Sequence, residues 1–246
     1  MTDKSGLGDR MKRYEHVSRN VLTRRTPVIL RVDGRAFHTF TRTFSRPFDQ
    51  MMHNAMVVTA DALVREIQGA KLAYGQSDEI SVLITDYDTL QTDAWFGNVI
   101  QKMVSIAASV STIAFNQSIG GYPEYNRERK MAQFDARVFS IPKEEVANYF
   151  IWRQQDASRN SVSMVAQSHF SHKKLQGKNV RQMQDMLMAE HGINWNDTPT
   201  HFKRGFCIRG NDGIVVDREV PIFTEDRGYV ERLVYLDDSN PVPSRV

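Results

Sequence analysis

Residues Val28 to Phe40, VILRVDGRAFHTF, and Leu72 to Thr85, LAYGQSDEISVLIT, decide the fold of this chain. In the first, a β-branched run opened by Pro27, Val28 to Val32, breaks at Asp33-Gly34. In the second, strand-like runs at Lys71 to Tyr74 and Ile80 to Thr85 flank a polar bend, Gly75 to Asp78, the pattern of a β-hairpin. Between them, Asp49 to Gln68 places Met52, Met56, Leu63 and Ile67 at near-helical spacing, with Gly69 as a stop. An apolar-rich helix over Asp93 to Phe115 and a fourth strand over Gln133 to Ser140 complete the order β-α-β-β-α-β. That order predicts an α+β fold, a split βαβ sheet with helices on one face.

Outward from this unit, Leu7 to Arg25 reads as a charged helical arm carrying Arg10, Lys12, Arg13, Arg19, Arg24 and Arg25. Pro142 opens a helix over Glu144 to Gln155, and a second runs from Asn179 to His191 with Gly192 as its cap. Phe206 to Val216 is a hairpin turning at Asn211-Asp212-Gly213, and SNPVPSRV ends the chain as a loose tail. The division expected is a catalytic core with its arm over residues 1–141 and a mostly helical region packed on it over residues 142–246.

The chain has 246 residues, 41% hydrophobic and 25% charged, which sets it among globular proteins rather than disordered ones. Its net charge of +3 is compatible with nucleic acid without requiring it. A single cysteine, Cys207, excludes an internal disulfide framework and a Cys-based zinc cluster, and fits a cytoplasmic setting. No apolar run approaches the roughly 20 residues of a membrane span.

Asp33 and Asp78 lie 45 residues apart. In a split βαβ sheet the first strand sits beside the hairpin of the next two, so the two carboxylates can meet at one rim. Carboxylates there suit two Mg²⁺ ions about 3.5–4 Å apart, one activating a hydroxyl and one bracing a triphosphate. Gly34 lets its carbonyl and the following amides come close, the Arg35 to His38 amides (through Ala36 and Phe37) form an anion cradle, and Ser77 offers a hydroxyl. Glu79 is expected either to assist behind them or to face solvent. Asp-Gly and Ser-Asp-Glu are also ordinary turn sequences, so the argument rests on both motifs occurring together. Phosphoryl or nucleotidyl transfer is the chemistry they point to.

RVDGRAFHTF and AYGQSDEISVLI resemble the two signature motifs of the tRNA-histidine guanylyltransferase family, 3′-to-5′ nucleotide-adding polymerases. The likeness continues in FDARVFSIP (Phe134 to Pro142), WRQQD (Trp152 to Asp156) and INWNDTPTHFKRG (Ile193 to Gly205), and spans roughly residues 7 to 210. It implies a polymerase-palm-like core, with metals at Asp33, the Gly34 carbonyl and Asp78. It implies ATP, GTP or another nucleoside triphosphate at Asp33 to His38, Ser77 and Asp78, and phosphate contact by Arg46. It implies tRNA as partner, no membrane, and a homotetramer. Members that build the extra guanosine of tRNA-His carry HINNLYN after WRQ-x-D; here Ser158 to Met164 reads SRNSVSM, and only Asn160 fits. The implied activity is therefore template-dependent repair of truncated tRNA 5′ ends. ATP or GTP would first activate the 5′-monophosphate, and the 3′-hydroxyl of an incoming nucleotide would then attack it.

Among other candidates, Asp135 and Arg137 share a strand face and are expected either to pair near the site, the favoured reading, or to leave Arg137 for RNA phosphate. Lys102 is expected to reach solvent, and Lys173, Lys174, Lys178, Arg181, Lys203 and Arg204 to be surface residues that could meet RNA phosphate. His38 either contacts a nucleotide or is satisfied locally, and Phe37 is singled out as a ring that its turn could set against a base. Met183, Met186 and Met188 read as core filler and Cys207 as structural. Two rival functions remain, a palm-fold nucleotide cyclase acting on small nucleotides and a non-catalytic RNA-binding module on the same sheet.

Overall fold

The computed structural model describes residues 6–122, 131–209 and 215–235. The elements are α1 (Gly6–Val17), β1 (Val28–Gly34), α2 (Phe37–Phe40), α3 (Gln50–Glu66), β2 (Ala70–Gln76), β3 (Glu79–Ile84), α4 (Ile100–Gly120) and β4 (Phe134–Ser140). The C-terminal part adds α5 (Lys143–His169), α6 (His172–Leu175), α7 (Val180–His191), α8 (Thr200–Arg204), β5 (Phe206–Arg209), β6 (Val215–Asp217) and α9 (Gly228–Glu231). The sheet order is β4-β1-β3-β2-β5-β6, antiparallel at every pairing. Its first four strands are the expected split βαβ arrangement; β5 and β6 extend the same sheet beyond β2.

The two-residue period of the strands sorts their side chains. Val28, Leu30 and Val32 of β1, with Ile80, Val82 and Ile84 of β3, face α3 and α4 in one core. Ile29, Leu72, Tyr74 and Leu83 face the other way, onto Val146, Ala147 and Phe150 of α5 and onto Val220, Phe223 and Tyr229. Thus α3 and α4 do lie together on one face, and the C-terminal helices cover the apolar end of the other. The remaining end of that second face is polar. By alternation it carries Asp33 and Arg31 of β1, Glu79 and Ser81 of β3, Asp135 and Arg137 of β4, and Gln76 of β2.

Local chemistry explains most boundaries. Asp49 caps α3, accepting from the Met52 and Ser45 amides at 2.9 Å each. Asn179 and Gln182 form a reciprocal capping box on α7, and Gly192 ends it in the left-handed region at φ 65°. Gly75 cannot bear a side chain, since a Cβ there would sit 2.3 Å from the Phe206 ring.

Three elements differ from expectation. The arm helix stops at Val17; Val21 then bridges to Val99 and Arg24 pairs with Asp86 at 2.6 Å, so the rest of the arm is stitched along the core. The helix predicted from Asp93 begins only at Ile100, because Phe96 and Gly97 take left-handed angles (φ 51° and 58°) and turn the chain first. The helix predicted to end at Gln155 runs to His169; no Gly or Pro interrupts it, and its polar DASRNS stretch masks the continuing pattern. The Asn211-Asp212-Gly213 turn and the SNPVPSRV tail fall outside the described residues.

Phe150 is fully buried where α5 meets the sheet. Phe150→Ala is expected to cost about 3–5 kcal/mol, read from the urea-unfolding midpoint at unchanged slope.

Candidate active site

The site forms where β1 ends against the β2–β3 turn. β1 and β3 pair with Asp33 opposite Glu79, and the hairpin closes in two residues, Ser77 and Asp78. The Gly34 amide donates to the Asp78 carbonyl at 3.0 Å, a direct tie between the two predicted motifs. Ser77 at φ 50° and Ala36 at φ 53° hold the left-handed region without being glycine, a conformation that costs a non-glycine residue about 1–2 kcal/mol. Both strained residues flank the carboxylates.

Asp33, Gly34, Ser77 and Asp78 are therefore brought together. Burial, and then the neighbouring Asp33 carboxylate, push the Asp78 carboxyl up to about 6, while a hydrogen bond from Ser77 opposes the rise. Asp33 is more open, 42% exposed at its side chain, with the Arg137 guanidinium 4.0 Å away. Arg137 also pairs with Asp135 at 3.1 Å, the ion pair that strand alternation suggested. Two carboxylates that repel each other at a half-open rim are suited to hard divalent cations, and Mg²⁺ needs few protein oxygens because it keeps several waters. Among the described residues no cluster of three or more His, Cys, Asp or Glu side chains is placed to hold a metal.

Several expected roles change. The Phe37 ring is buried against Phe40, Phe115 and Phe134, with centroids 5.1–5.4 Å apart, so it is core and not a base platform. It also explains Gly34 differently, since a Cβ there would lie 2.3 Å from that ring. The Arg35 amide is already committed to the Gln133 carbonyl at 2.8 Å. The cradle thus loses Arg35 and is left to the amides of Ala36, Phe37 and His38 at the opening of α2, which have no partner within the helix. His38 is exposed, 3.1 Å from the Thr39 hydroxyl, and Arg46 is exposed in the segment before α3. Lys102 is exposed as expected; Met183 and Met186 pack at α7, whereas Met188 is exposed and fills no core.

Glu79 does not face solvent. It takes a two-pronged ion pair from Arg153 of α5, Nε to Oε1 and Nη2 to Oε2, each 2.7 Å, and both side chains are about nine-tenths buried. Burial pushes the Glu79 carboxyl up and the guanidinium opposes it. Arg153 lies within the WRQQD stretch, but a partner 74 residues away has no local signature in a sequence. Arg31, whose charge also opposes the rise of the Glu79 carboxyl, was missed as well. It is two residues before Asp33, and that period is the signal that sets both on one sheet face.

An antiparallel palm-like sheet with two acidic residues at one rim defines a nucleotidyltransferase of the polymerase-palm class. The chain belongs to the tRNAHis guanylyltransferase family, whose sequence profile matches residues 8–142. It is 31% identical to the tRNA(His) guanylyltransferase of Debaryomyces hansenii over 80% of this chain and 79% of that protein. Its fold superimposes on a bacterial tRNA(His) guanylyltransferase-like protein in complex with ATP, at TM-score 0.89 and 51% identity, covering 94% of this chain and all of the other. A second bacterial guanylyltransferase-like structure, in complex with GTP, matches at TM-score 0.81 and 46% identity with the same coverage.

Two outcomes test this electrostatic arrangement. In cation-free buffer the native protein holds the Asp78 proton to higher pH than the unfolded chain does, so stability should fall from about pH 4 to about 6. Asp78→Asn should flatten that part of the profile and gain about 3 kcal/mol at pH 7, measured by urea unfolding. Arg153→Ala leaves Glu79 buried and unpaired, and should cost about 3–5 kcal/mol; Arg153→Met with Glu79→Leu should recover most of it.

Proposed function

We propose that this protein adds nucleotides to the 5′ end of tRNA in the 3′-to-5′ direction, guided by the opposite strand, and so repairs truncated 5′ ends. The observation that carries this reading is the convergence of Asp33 and Asp78, tied by the Gly34–Asp78 backbone bond, in a member of the guanylyltransferase family. The ATP and GTP held by the bacterial relatives support nucleoside triphosphates as substrates. The SRNSVSM sequence at Ser158 to Met164, where tRNA-His-dedicated members carry HINNLYN, supports a template-guided rather than a tRNA-His-restricted activity.

Two Mg²⁺ ions at Asp33, the Gly34 carbonyl and Asp78 would supply charge neutralisation and lower the pKa of the attacking hydroxyl. The protein's own groups position the reactants. The α2 amides and the Ser77 hydroxyl hold phosphate oxygens, and Arg46 meets the outer phosphates. The RNA 5′-monophosphate attacks the α-phosphate of ATP or GTP and pyrophosphate leaves. The 3′-hydroxyl of the next nucleotide then attacks the activated 5′-phosphate; AMP or GMP leaves as the new phosphodiester forms. Glu79, locked to Arg153, acts as a positioning residue that braces the turn carrying Asp78. The family resemblance brings a homotetramer with it, and the exposed Leu7, Met11, Tyr14 and Val17 of α1 support such burial against another copy.

The test is a 5′-monophosphorylated tRNA transcript lacking its first nucleotide, incubated with Mg²⁺, ATP and all four nucleoside triphosphates. Extension by the nucleotide complementary to the opposite strand is expected, and Asp33→Ala or Asp78→Ala should lower it at least a thousandfold. Cyclic nucleotide made from ATP without RNA, or normal extension by either variant, would overturn the reading.

A further inference from the structure

Of the three tryptophans, Trp95 is buried and Trp195 half-buried, whereas Trp152 of α5 is 49% exposed. Open as it is, the ring is braced. The Arg153 guanidinium lies 4.5 Å from its centroid, and Tyr149 meets it edge-on at 5.8 Å and 66°. Both braces are anchored in the sheet. Arg153 is held by its two bonds to Glu79; Tyr149 is held by a 2.8 Å hydrogen bond between its hydroxyl and that of Ser81, and by the Phe139 ring at 5.9 Å. One guanidinium therefore separates the indole from Glu79, the neighbour of Asp78. A flat apolar ring that is open to water yet already fixed in place binds without a large ordering cost.

Its surroundings are basic. Arg159 lies seven residues on, hence on the same side of α5, and its side chain is 52% exposed. Arg137 shares a face of β4 with Phe139 and is 49% exposed, 4.0 Å from Asp33. Their pairings with Asp156 and Asp135 are open to water, and so weak enough to yield to a phosphate. An exposed ring beside guanidiniums is the chemistry that receives single-stranded nucleic acid, stacking for a base and charge for its phosphates. Every base has a π-face, so a stacking ring accepts all four alike. That tolerance is what copying an arbitrary template requires, and a hydrogen-bonding pocket would select one base instead.

Resting on the template-guided reading above, we propose that Trp152 is the stacking platform for the unpaired template base opposite the shortened 5′ end of the RNA, with Arg137 and Arg159 meeting the phosphates of that strand. The platform holds the base in place for pairing while the carboxylate rim carries out the transfer.

The test uses the full-length protein and a tRNA lacking its first nucleotide, with 2-aminopurine at the unpaired template position. Binding to the wild type should quench the 2-aminopurine fluorescence. Trp152→Leu should leave it unquenched at saturating protein and raise the KM for RNA in the extension reaction at least tenfold, with ATP bound as by wild type in calorimetry. Trp152→Phe, which keeps a ring, should restore both the quenching and most of the KM. A wild-type protein that extends this RNA without quenching it, a readout that needs no folded variant, would overturn the platform alone, as would a wild-type KM for Trp152→Leu. So would a Trp152 that acrylamide does not reach in the free protein, its ring then being covered by another copy of the chain. Failure of the wild type to extend the shortened RNA would overturn the template-guided reading together with the platform.

Discussion

The site depends on one backbone hydrogen bond, from the Gly34 amide to the Asp78 carbonyl. It extends the β1–β3 ladder one step past its last paired side chains and fastens a strand end to a hairpin tip. Asp33 and Asp78 acquire their mutual repulsion only because this register holds. A slip of one residue would turn Asp33 into the core beneath α3 and α4 and bring an apolar neighbour to the rim. The energy that keeps the register comes from elsewhere, from Val28, Leu30, Val32, Ile80 and Val82 buried on that opposite side. The repulsive rim is sustained by a hydrophobic surface that it never touches.

Helix α5 joins the remaining parts. Its first turns lay Val146 and Phe150 on the apolar end of the sheet. One turn further, Arg153 reaches Glu79, next to the Asp78 turn, and beyond that Asn160 and Met164 line a cleft that also takes in Ser77. One rigid element therefore sets sheet packing, the charge behind the carboxylates and the side of the cleft. Buried pairs of the Arg153–Glu79 kind offer little net stability against an apolar replacement, and geometry is what this one supplies.

Strand and hairpin elements were legible because their signals are local: β-branched runs, a polar two-residue tip, Pro27 before β1. The convergence of Asp33 and Asp78 followed from topology, since a β-α-β-β-α-β order leaves few places for the first strand. Other features had no such route. Phe37 sits in a turn segment, and only the presence of Phe115 and Phe134 beneath it makes it core. The late start of α4 depends on left-handed angles at Phe96 and Gly97, the first of them unusual for an aromatic residue. His53 and His201 meet across 148 residues of chain, and each reads alone as an ordinary histidine on a helix.

Gly34 carries a wider lesson about reading function from short motifs. Its hydrogen atom occupies the only room left by the Phe37 ring, so any larger residue is refused on steric grounds before catalysis enters. A descendant of this protein that had lost its aspartates and all transferase chemistry would still be compelled to keep that glycine. Its presence in a distant homologue would certify an intact aromatic core under the turn, and the carboxylates alone would speak for the reaction.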